Sequence, residues 1–564
     1  MDDAPWFRHY EPGVPRSIPY PDLTLPEALD QTVARFPDRV ALRFYLDARL
    51  PVPALTYRQL QDETLRFATA LFQLGVRKGD RVALMLPNCP QFAVAFYGAL
   101  RIGAIPVNTT PLYVSREMRE QFEDSGCETV VLLDQLYPRL REIHAATRVR
   151  RVIVVDVAER LPWYARLLVH LAQRRKGEAV KVPAETDTYL FRELVRRYPP
   201  TPPGADLKPS DVALLQYTGG TTGTPKAAML THRNLVANSL QAKAWFPSAA
   251  GGIYLGAIPF FHVYGLTSVL LFGVAQAAEI VVIPRPRPVE IVLEAIQRFR
   301  VTLFPGVPTL YAALNDHPKV GDYDLRSGAL CVSGAAPLPR EVFERFEALT
   351  GGRLVEGYGL TETSPLTHCT PILGERRPGS IGLPFPDTDA RIVDLTSGEP
   401  VAAGEEGELE VRGPQVMLGY WGRPDDTAEV FHDGWLRTGD VARMDPAGFF
   451  YVVDRRKDMI DASGFKVLPR EVEEVLLMHP AVKEAVVAGV PDAYRGETVK
   501  AFLVLRPGES ASAEEIVDFS RLHLAAFKVP RKVEFRAELP KSLVGKYLRR
   551  VLVEEERAAE APAP

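Results

Sequence analysis

Between Tyr217 and Asn234 the chain reads YTGGTTGTPKAAMLTHRN, in which Gly219, Gly220 and Gly223 are set among Thr218, Thr221, Thr222 and Thr224 before a single lysine, Lys226. Glycines let a backbone approach a ligand closely, free N–H groups and threonine hydroxyls donate hydrogen bonds, and a lysine adds positive charge; together they suit a phosphate. The preceding ALLQY reads as a buried strand, and THRNLVANSLQAKAWF reads as a helix with Thr231 as its N-cap. The spacing therefore predicts strand, loop and helix. It is not a Walker loop, because Pro225 and Ala227 stand where that pattern needs glycine and a hydroxyl residue. On spacing alone two readings stay open, a phosphate cradle and a flexible Gly/Thr turn.

The elements that must position such a loop follow from the apolar pattern. RVALMLPN, TVVLLD and RVIVVD read as short buried strands, and QFAVAFYGALRIG as a helix ending at Gly103. Strands spaced by helices predict an α/β fold with layered parallel sheets. Beyond about residue 385 short alternating runs separated by Ser-Gly turns predict a small antiparallel, barrel-like subdomain. The charged run DRRKD, Asp454 to Asp458, marks a boundary, followed by a strand and a capped helix from Pro469. The AAEAPAP terminus has the composition of a disordered tail.

Composition limits the classes of function. The chain has 564 residues, 46% of them hydrophobic, and a formal net charge of −4, which gives no field favouring nucleic acid. Cys89, Cys127, Cys331 and Cys369 lie far apart without metal-ligand spacing and read as thiols of a reducing compartment. No secretory signal opens the sequence, and the most apolar stretches are interrupted by Arg101 and Glu279. A cytoplasmic protein is expected.

The loop does not stand alone. SGAAPL (Ser333 to Leu338), YGLTE (Tyr358 to Glu362), GWLRTGD (Gly434 to Asp440), DRRKDMI with SGFKVLPREVE, and PKSLVGKYLRR follow it in order. The set resembles the signature motifs of the adenylate-forming superfamily, over roughly residues 25 to 550. That resemblance implies activation of a carboxylate by ATP and Mg²⁺ to an acyl-adenylate, then acyl transfer to a thiol. It also implies a large N-terminal domain over 1–453, its small β subdomain at about 386–453, a hinge at 454–458, and a small α+β C-terminal domain over 459–564 that rotates between the two half-reactions.

Residue by residue, the resemblance implies that Thr218 to Lys226 hold the triphosphate. Glu362 would bind Mg²⁺ and Thr361 the α-phosphate. Gly334, Ala335, Ala336, Glu356, Gly357, Tyr358 and Gly359 would frame the nucleotide, and Asp440 with Arg455 would bind the ribose hydroxyls, which a carboxylate accepts well. Lys546 would be the catalytic lysine of adenylation, Lys457 the hinge residue and Gly464 part of the CoA tunnel. His262, in PFFHVYG, would orient the acid or gate the thiol, and Trp245 would wall an acyl pocket.

The nearest subfamily resemblance is to bacterial long-chain fatty acyl-CoA synthetases, which implies fatty acid, ATP and CoA as substrates. Medium-chain or aryl acid:CoA ligases share the core motifs, as do fatty acyl-AMP ligases that load a carrier protein and luciferase-like oxygenases. An inactive relative is disfavoured by the joint presence of Lys226, Glu362, Asp440, Arg455 and Lys546. The segment from Leu161 to Lys176, with Trp163, Tyr164, several leucines and a basic end, reads either as a helix packed on its own domain or as one resting peripherally on the inner face of a membrane. Members of the superfamily are often homodimers.

Overall fold

Helix Pro90–Arg101 has every residue buried except Arg101 and lies in a core that joins Phe92 and Phe96 to Leu42, Phe44 and Tyr254 on one side and Val82 and Leu84 on the other. A helix apolar all round must be covered all round, and two sheets cover it. In this computed structural model the described residues are 4–183, 185–218, 225–328, 330–462, 465–492, 496–542 and 545–560.

The first sheet has nine strands, ordered Leu383–Pro384, Leu366–Cys369, Arg353–Gly359, Leu330–Ser333, Leu303–Gly306, Ile253–Gly256, Glu279–Val282, Val40–Phe44 and Ala54–Thr56. Its middle is parallel and its ends antiparallel. The second has eight strands, from Gly419–Tyr420 through Ala227–Thr231, Val212–Tyr217, Ile105–Asn108, Arg81–Met85, Thr129–Leu133 and Arg151–Val155 to Thr188–Leu190. Central strands such as Thr129–Leu133 are Val-rich and buried on both faces, as parallel strands under helices must be. Each fully buried Leu, Val or Phe contributes about 1.5–3 kcal/mol, which makes this core the main source of rigidity behind the loops that leave its strands.

The small antiparallel sheet is present, built from Asp389–Val393, Glu406–Arg412, Phe431–His432, Trp435–Met444 and Phe450–Arg455. A short helical turn, Arg456–Asp458, follows, and then a sheet of Ile460–Ala462, Phe465–Val467, Val482–Asp492, Gly496–Leu505 and Lys532–Phe535 with its own core around Val472, Leu476, Val487 and Leu503. The fold is thus a large N-terminal α/β domain with a half-barrel sheet and a small α+β C-terminal domain.

Three local expectations need correction. The phosphate-loop motif is a hairpin: strand Val212–Tyr217 pairs antiparallel with Ala227–Thr231, and helix His232–Trp245 starts only after that second strand. Its N-terminus is sealed by the Thr231–Asn234 capping box and offers nothing to the loop. Helix Pro469–Leu477 has no side-chain cap of its own; Asp454 accepts the Arg470 N–H at 2.7 Å instead. Helix Arg549–Glu560 runs on into the AAE of the expected tail. The four cysteines are buried free thiols, and burial pushes Cys89 and Cys127 up to about 12.

Candidate active site

The base of the Gly/Thr loop is closed by Thr218, whose N–H donates to the Lys226 carbonyl at 2.9 Å. Gly219, Gly220, Thr221, Thr222, Gly223 and Thr224 lie outside the described residues. At the loop's end Lys226 Nζ lies 2.6 Å from Asp426 Oδ1 and 5.4 Å from the centre of the Tyr420 ring. The two-residue strand Gly419–Tyr420 brings that ring in by pairing with Ala228 and Met229. The Tyr420 hydroxyl in turn donates to Glu362 Oε1 at 2.7 Å, which links the loop lysine to the YGLTE motif.

Thr361 and Glu362 sit in a single helical turn, Thr361–Thr363, just after strand Arg353–Gly359. Gly359 has to be glycine: a Cβ there would stand 1.7 Å from the Pro365 carbonyl oxygen. The turn is pinned by the Met417 N–H, which donates to the Glu362 carbonyl at 2.8 Å. One carboxylate beside a phosphate loop fits Mg²⁺, which keeps waters and substrate phosphate oxygens in its other positions. Among the described residues no cluster of three or more His, Cys, Asp or Glu forms a separate metal cage.

The residues expected to frame the nucleotide lie at the carboxyl ends of two parallel strands, where ligands of open α/β sheets bind. Ser333 opposes Glu356 in register, so Gly334, Ala335 and Ala336 leave their strand beside Gly357 and Tyr358. Ala335 holds φ = +69°, a strained turn for a residue with a side chain. Glu356 keeps some solvent access, yet burial against the protein raises its carboxyl to about 7, opposed by the Arg470 guanidinium. Tyr358 Oη donates to Asp440 Oδ2 at 2.5 Å, and Arg455 Nε lies 2.8 Å from Asp440 Oδ1. Asp440 and Arg455 face each other across paired strands Trp435–Met444 and Phe450–Arg455. The carboxylate raises the Arg455 pKa, while burial and the same carboxylate carry Tyr358 well above the ordinary tyrosine range. A buried Asp stripped of its cationic partner would cost about 3–5 kcal/mol, so the pair fixes a charged acceptor in place.

His262 caps the turn Val263–Gly265, its Nδ1 accepting the Tyr264 N–H at 3.2 Å, and a π-helical turn, Leu266–Leu271, follows. Such turns interrupt helices frequently at functional sites. Although the His262 ring keeps some access, the protein packed around it and then the charge of Lys546 push its pKa down to about 4. The charge of Lys546, on the C-terminal domain, therefore acts on His262. Its loop is tied by the Lys546 N–H to Ser542 Oγ at 3.1 Å and by a bridge between Lys541 and Tyr547. Gly545, at φ = +72°, lies against Thr309 of helix Pro308–Asn315.

Trp245 is not among these groups. It is buried at the end of its helix, edge-on to Tyr10 and tilted against Phe385, as a core residue. Lys457 falls in the turn Arg456–Asp458, and Gly464 lies outside the described residues.

Comparison with known proteins agrees with this geometry. The AMP-binding enzyme family matches residues 29–421, and its C-terminal domain matches 471–546. The chain belongs to the AMP-binding enzyme family. A long-chain-fatty-acid–CoA ligase of Bacillus subtilis (strain 168) is 46% identical over 99% of both chains, and one of Escherichia coli O157:H7 is 41% identical over 98% of both. Among solved structures, ATP-bound MatB from Rhodopseudomonas palustris, 27% identical, superposes with a TM-score of 0.83 over 96% of this chain and 100% of that one. The apo form of the same protein superposes at only 0.70. As a whole, the chain thus superposes better on the ATP-bound form than on the apo form of that protein.

Four side chains that build this site escaped the sequence reading: Tyr420, Asp426, Tyr264 and Thr309. Tyr264 joins two motifs, donating to the Val332 carbonyl at 2.8 Å beneath Gly334. Tyr420, Asp426 and Thr309 carry no spacing signal, since each reaches the site only through tertiary contact, whereas Tyr264 stands in the PFFHVYG motif two residues after His262.

Proposed function

We propose that the protein is an ATP-dependent long-chain fatty acid:CoA ligase. In the first step a carboxylate oxygen attacks the α-phosphorus of ATP and pyrophosphate leaves. In the second the CoA thiolate attacks the acyl carbon of the acyl-adenylate, and AMP leaves with the bonding pair. The observation that carries the reading is the Gly545–Thr309 contact, which docks the Lys546 loop of one domain on the other, within range for the lysine's charge to lower the His262 pKa. Near-full-length similarity to proteins named long-chain-fatty-acid–CoA ligase supports the acid class.

In this reading Lys226 and the Thr218–Thr224 loop hold the triphosphate, Thr361 meets the α-phosphate, and Asp440, aligned by Arg455, accepts the ribose hydroxyls. Gly334, Ala335, Ala336, Glu356, Gly357, Tyr358 and Gly359 frame the base. Lys546 neutralises the charge that develops between carboxylate and α-phosphate, an interaction stronger in the transition state than before it. His262, kept neutral by its surroundings, orients the acid. Lys457 serves the hinge, and Gly464 lines the CoA tunnel after the lid has turned. Mg²⁺, held by Glu362, would supply charge neutralisation on the triphosphate; Glu362→Gln should then raise the Mg²⁺ concentration needed for half-maximal adenylation.

Pyrophosphate release with Mg²⁺-ATP across acetate, decanoate, palmitate, benzoate and cinnamate, with and without CoA and with products weighed, tests the proposal. Palmitoyl-CoA as main product is expected. An aryl-CoA would move the acid class, and acyl-AMP that ignores CoA would move the acceptor.

A further inference from the structure

Helix Trp163–Arg175 is turned inside out. Its inward face is small and polar: Ala165 is buried with Ala158 and Leu161, Val169, Leu46 and Leu50 pack against that small cluster, and Arg166 and His170 both meet Asp156 Oδ2, at 2.8 and 3.2 Å. The large apolar residues point the other way. Trp163 is 79% exposed, Tyr164 50%, Leu167 52%, Leu168 58% and Leu171 44%. At 100° per residue these five positions form a single stripe, the face that a helix packed on its own domain would bury.

Charge selects what could cover that stripe. Around and just beyond the helix C-terminus stand Arg174, Arg175, Lys176 and Lys181, all exposed, against one carboxylate, Glu178, although the chain as a whole is net −4. A second copy of this chain would bring the same basic end. An apolar stripe ending in exposed cations suits the surface of a bilayer that carries anionic headgroups, with the rings and leucines at the acyl boundary and the cations at the phosphates.

The helix is also joined to the acyl motif by a short chain of contacts. Asp156 caps the turn Val157–Arg160, in which Glu159 Oε1 accepts from Gln91 Nε2 at 2.9 Å. Gln91 opens helix Pro90–Arg101, and Asn88 just before it donates to the Gly256 and Ile258 carbonyls at 3.0 and 2.8 Å and accepts the Phe260 N–H at 2.7 Å. Phe260 is two residues from His262. We propose that helix Trp163–Arg175 is an interfacial anchor that seats the protein on an anionic bilayer, beside the segment that carries His262, so that a membrane-dissolved acid is used in place. The inference rests on the ligase reading for its substrate, and on the helix alone for its lipid.

Sedimentation with vesicles of phosphatidylcholine and phosphatidylglycerol, or of phosphatidylcholine alone, tests the anchor in the wild type, Leu167→Glu/Leu168→Glu and Arg174→Glu/Arg175→Glu. Both double variants change exposed side chains only, and unchanged thermal midpoints check their folding. Wild type is expected to bind the anionic vesicles in a salt-sensitive way, and each variant to lose about tenfold or more. Turnover of dissolved decanoate should stay the same in the variants, whereas kcat/KM for palmitate presented in anionic vesicles should drop by about the same factor. Equal binding by wild type and variants, or none by any of them, overturns the anchor. So does wild type that dimerises through this face, with the leucine variant monomeric and no protein on vesicles. If vesicle binding behaves as expected but no acid is activated, the anchor stands and the ligase reading fails.

Discussion

A Cβ placed on Gly545 would lie 2.2 Å from Oγ1 of Thr309. The two residues belong to different domains, and their contact docks the loop that carries Lys546, whose charge helps lower the His262 pKa. Two constraints meet at this glycine, since its φ of +72° already disfavours any side chain.

Gly545→Ala should therefore push the lysine loop back by the order of an ångström while leaving the C-terminal core intact. Misplacement of that size costs about 100-fold in a positioned reaction. Acyl-adenylate formation is expected to fall by about that factor, and CoA-dependent consumption of supplied acyl-AMP to stay within about twofold, as rapid-quench assays of the two half-reactions would read. Equal loss in both would mean that Gly545 serves folding rather than docking.

Lys546→Ala should nearly abolish adenylation and spare thioester formation from acyl-AMP. It also has a spectroscopic consequence. Because burial is the larger cause of the low His262 pKa and Lys546 the smaller, removing the lysine should raise that pKa above about 4 and still leave it below the ordinary 6.5. Imidazole titration by NMR reads this directly, and an unmoved His262 would separate the two residues.

Asp426 occupies Lys226 at 2.6 Å and so competes with any phosphate for the same ammonium. Both side chains are about one-third exposed, which tempers the effect. Asp426→Asn is expected to lower KM for ATP by about three- to tenfold and to strengthen product inhibition by pyrophosphate. A higher KM would instead make Asp426 a support for Lys226.

Glu159 gives a pH dependence of stability. Burial raises its carboxyl to about 7 from 4.5, so the folded protein binds a proton that the unfolded chain releases sooner. Its contribution is fully present below pH 4.5 and is lost as pH rises through about 7. Glu159→Gln should remove that loss and gain up to about 3 kcal/mol at pH 8 relative to pH 5. Urea midpoints at the two pH values check it, and parallel shifts in wild type and variant would count against it.

The motif residues were legible because each motif is local: Thr218, Lys226, Tyr358, Glu362, Asp440 and Lys546 stand in short runs whose order alone points to a family. The alternation of buried strands and helices up to about residue 385, and the change of texture after it, were legible for the same reason. The hairpin strand Ala227–Thr231 was not, since five residues without a β-branched run carry little periodicity before Thr231. Tyr420 and Asp426 were invisible because a two-residue strand has no pattern, and only its pairing with Ala228 and Met229 brings them to the loop. Trp245 illustrates the converse. An aromatic residue on the helix after the loop looks like a pocket wall until Tyr10 and Phe385 are seen to enclose it. For Trp163 to Leu171 the amphipathic pattern was readable, but which face turned outward was not.

The two-residue strand Gly419–Tyr420 closes one edge of the eight-stranded sheet. Without it Ala227–Thr231 would present open backbone donors and acceptors along a strand of apolar side chains, a template for intermolecular pairing. A fragment cut near residue 385 would lose that strand and thus leave a sticky seam beside the Gly/Thr loop. The segment that links two half-barrel strands, Glu406–Arg412 and Phe431–His432, thus also serves the solubility of the domain before it, and the two are expected to be inherited, expressed and engineered together.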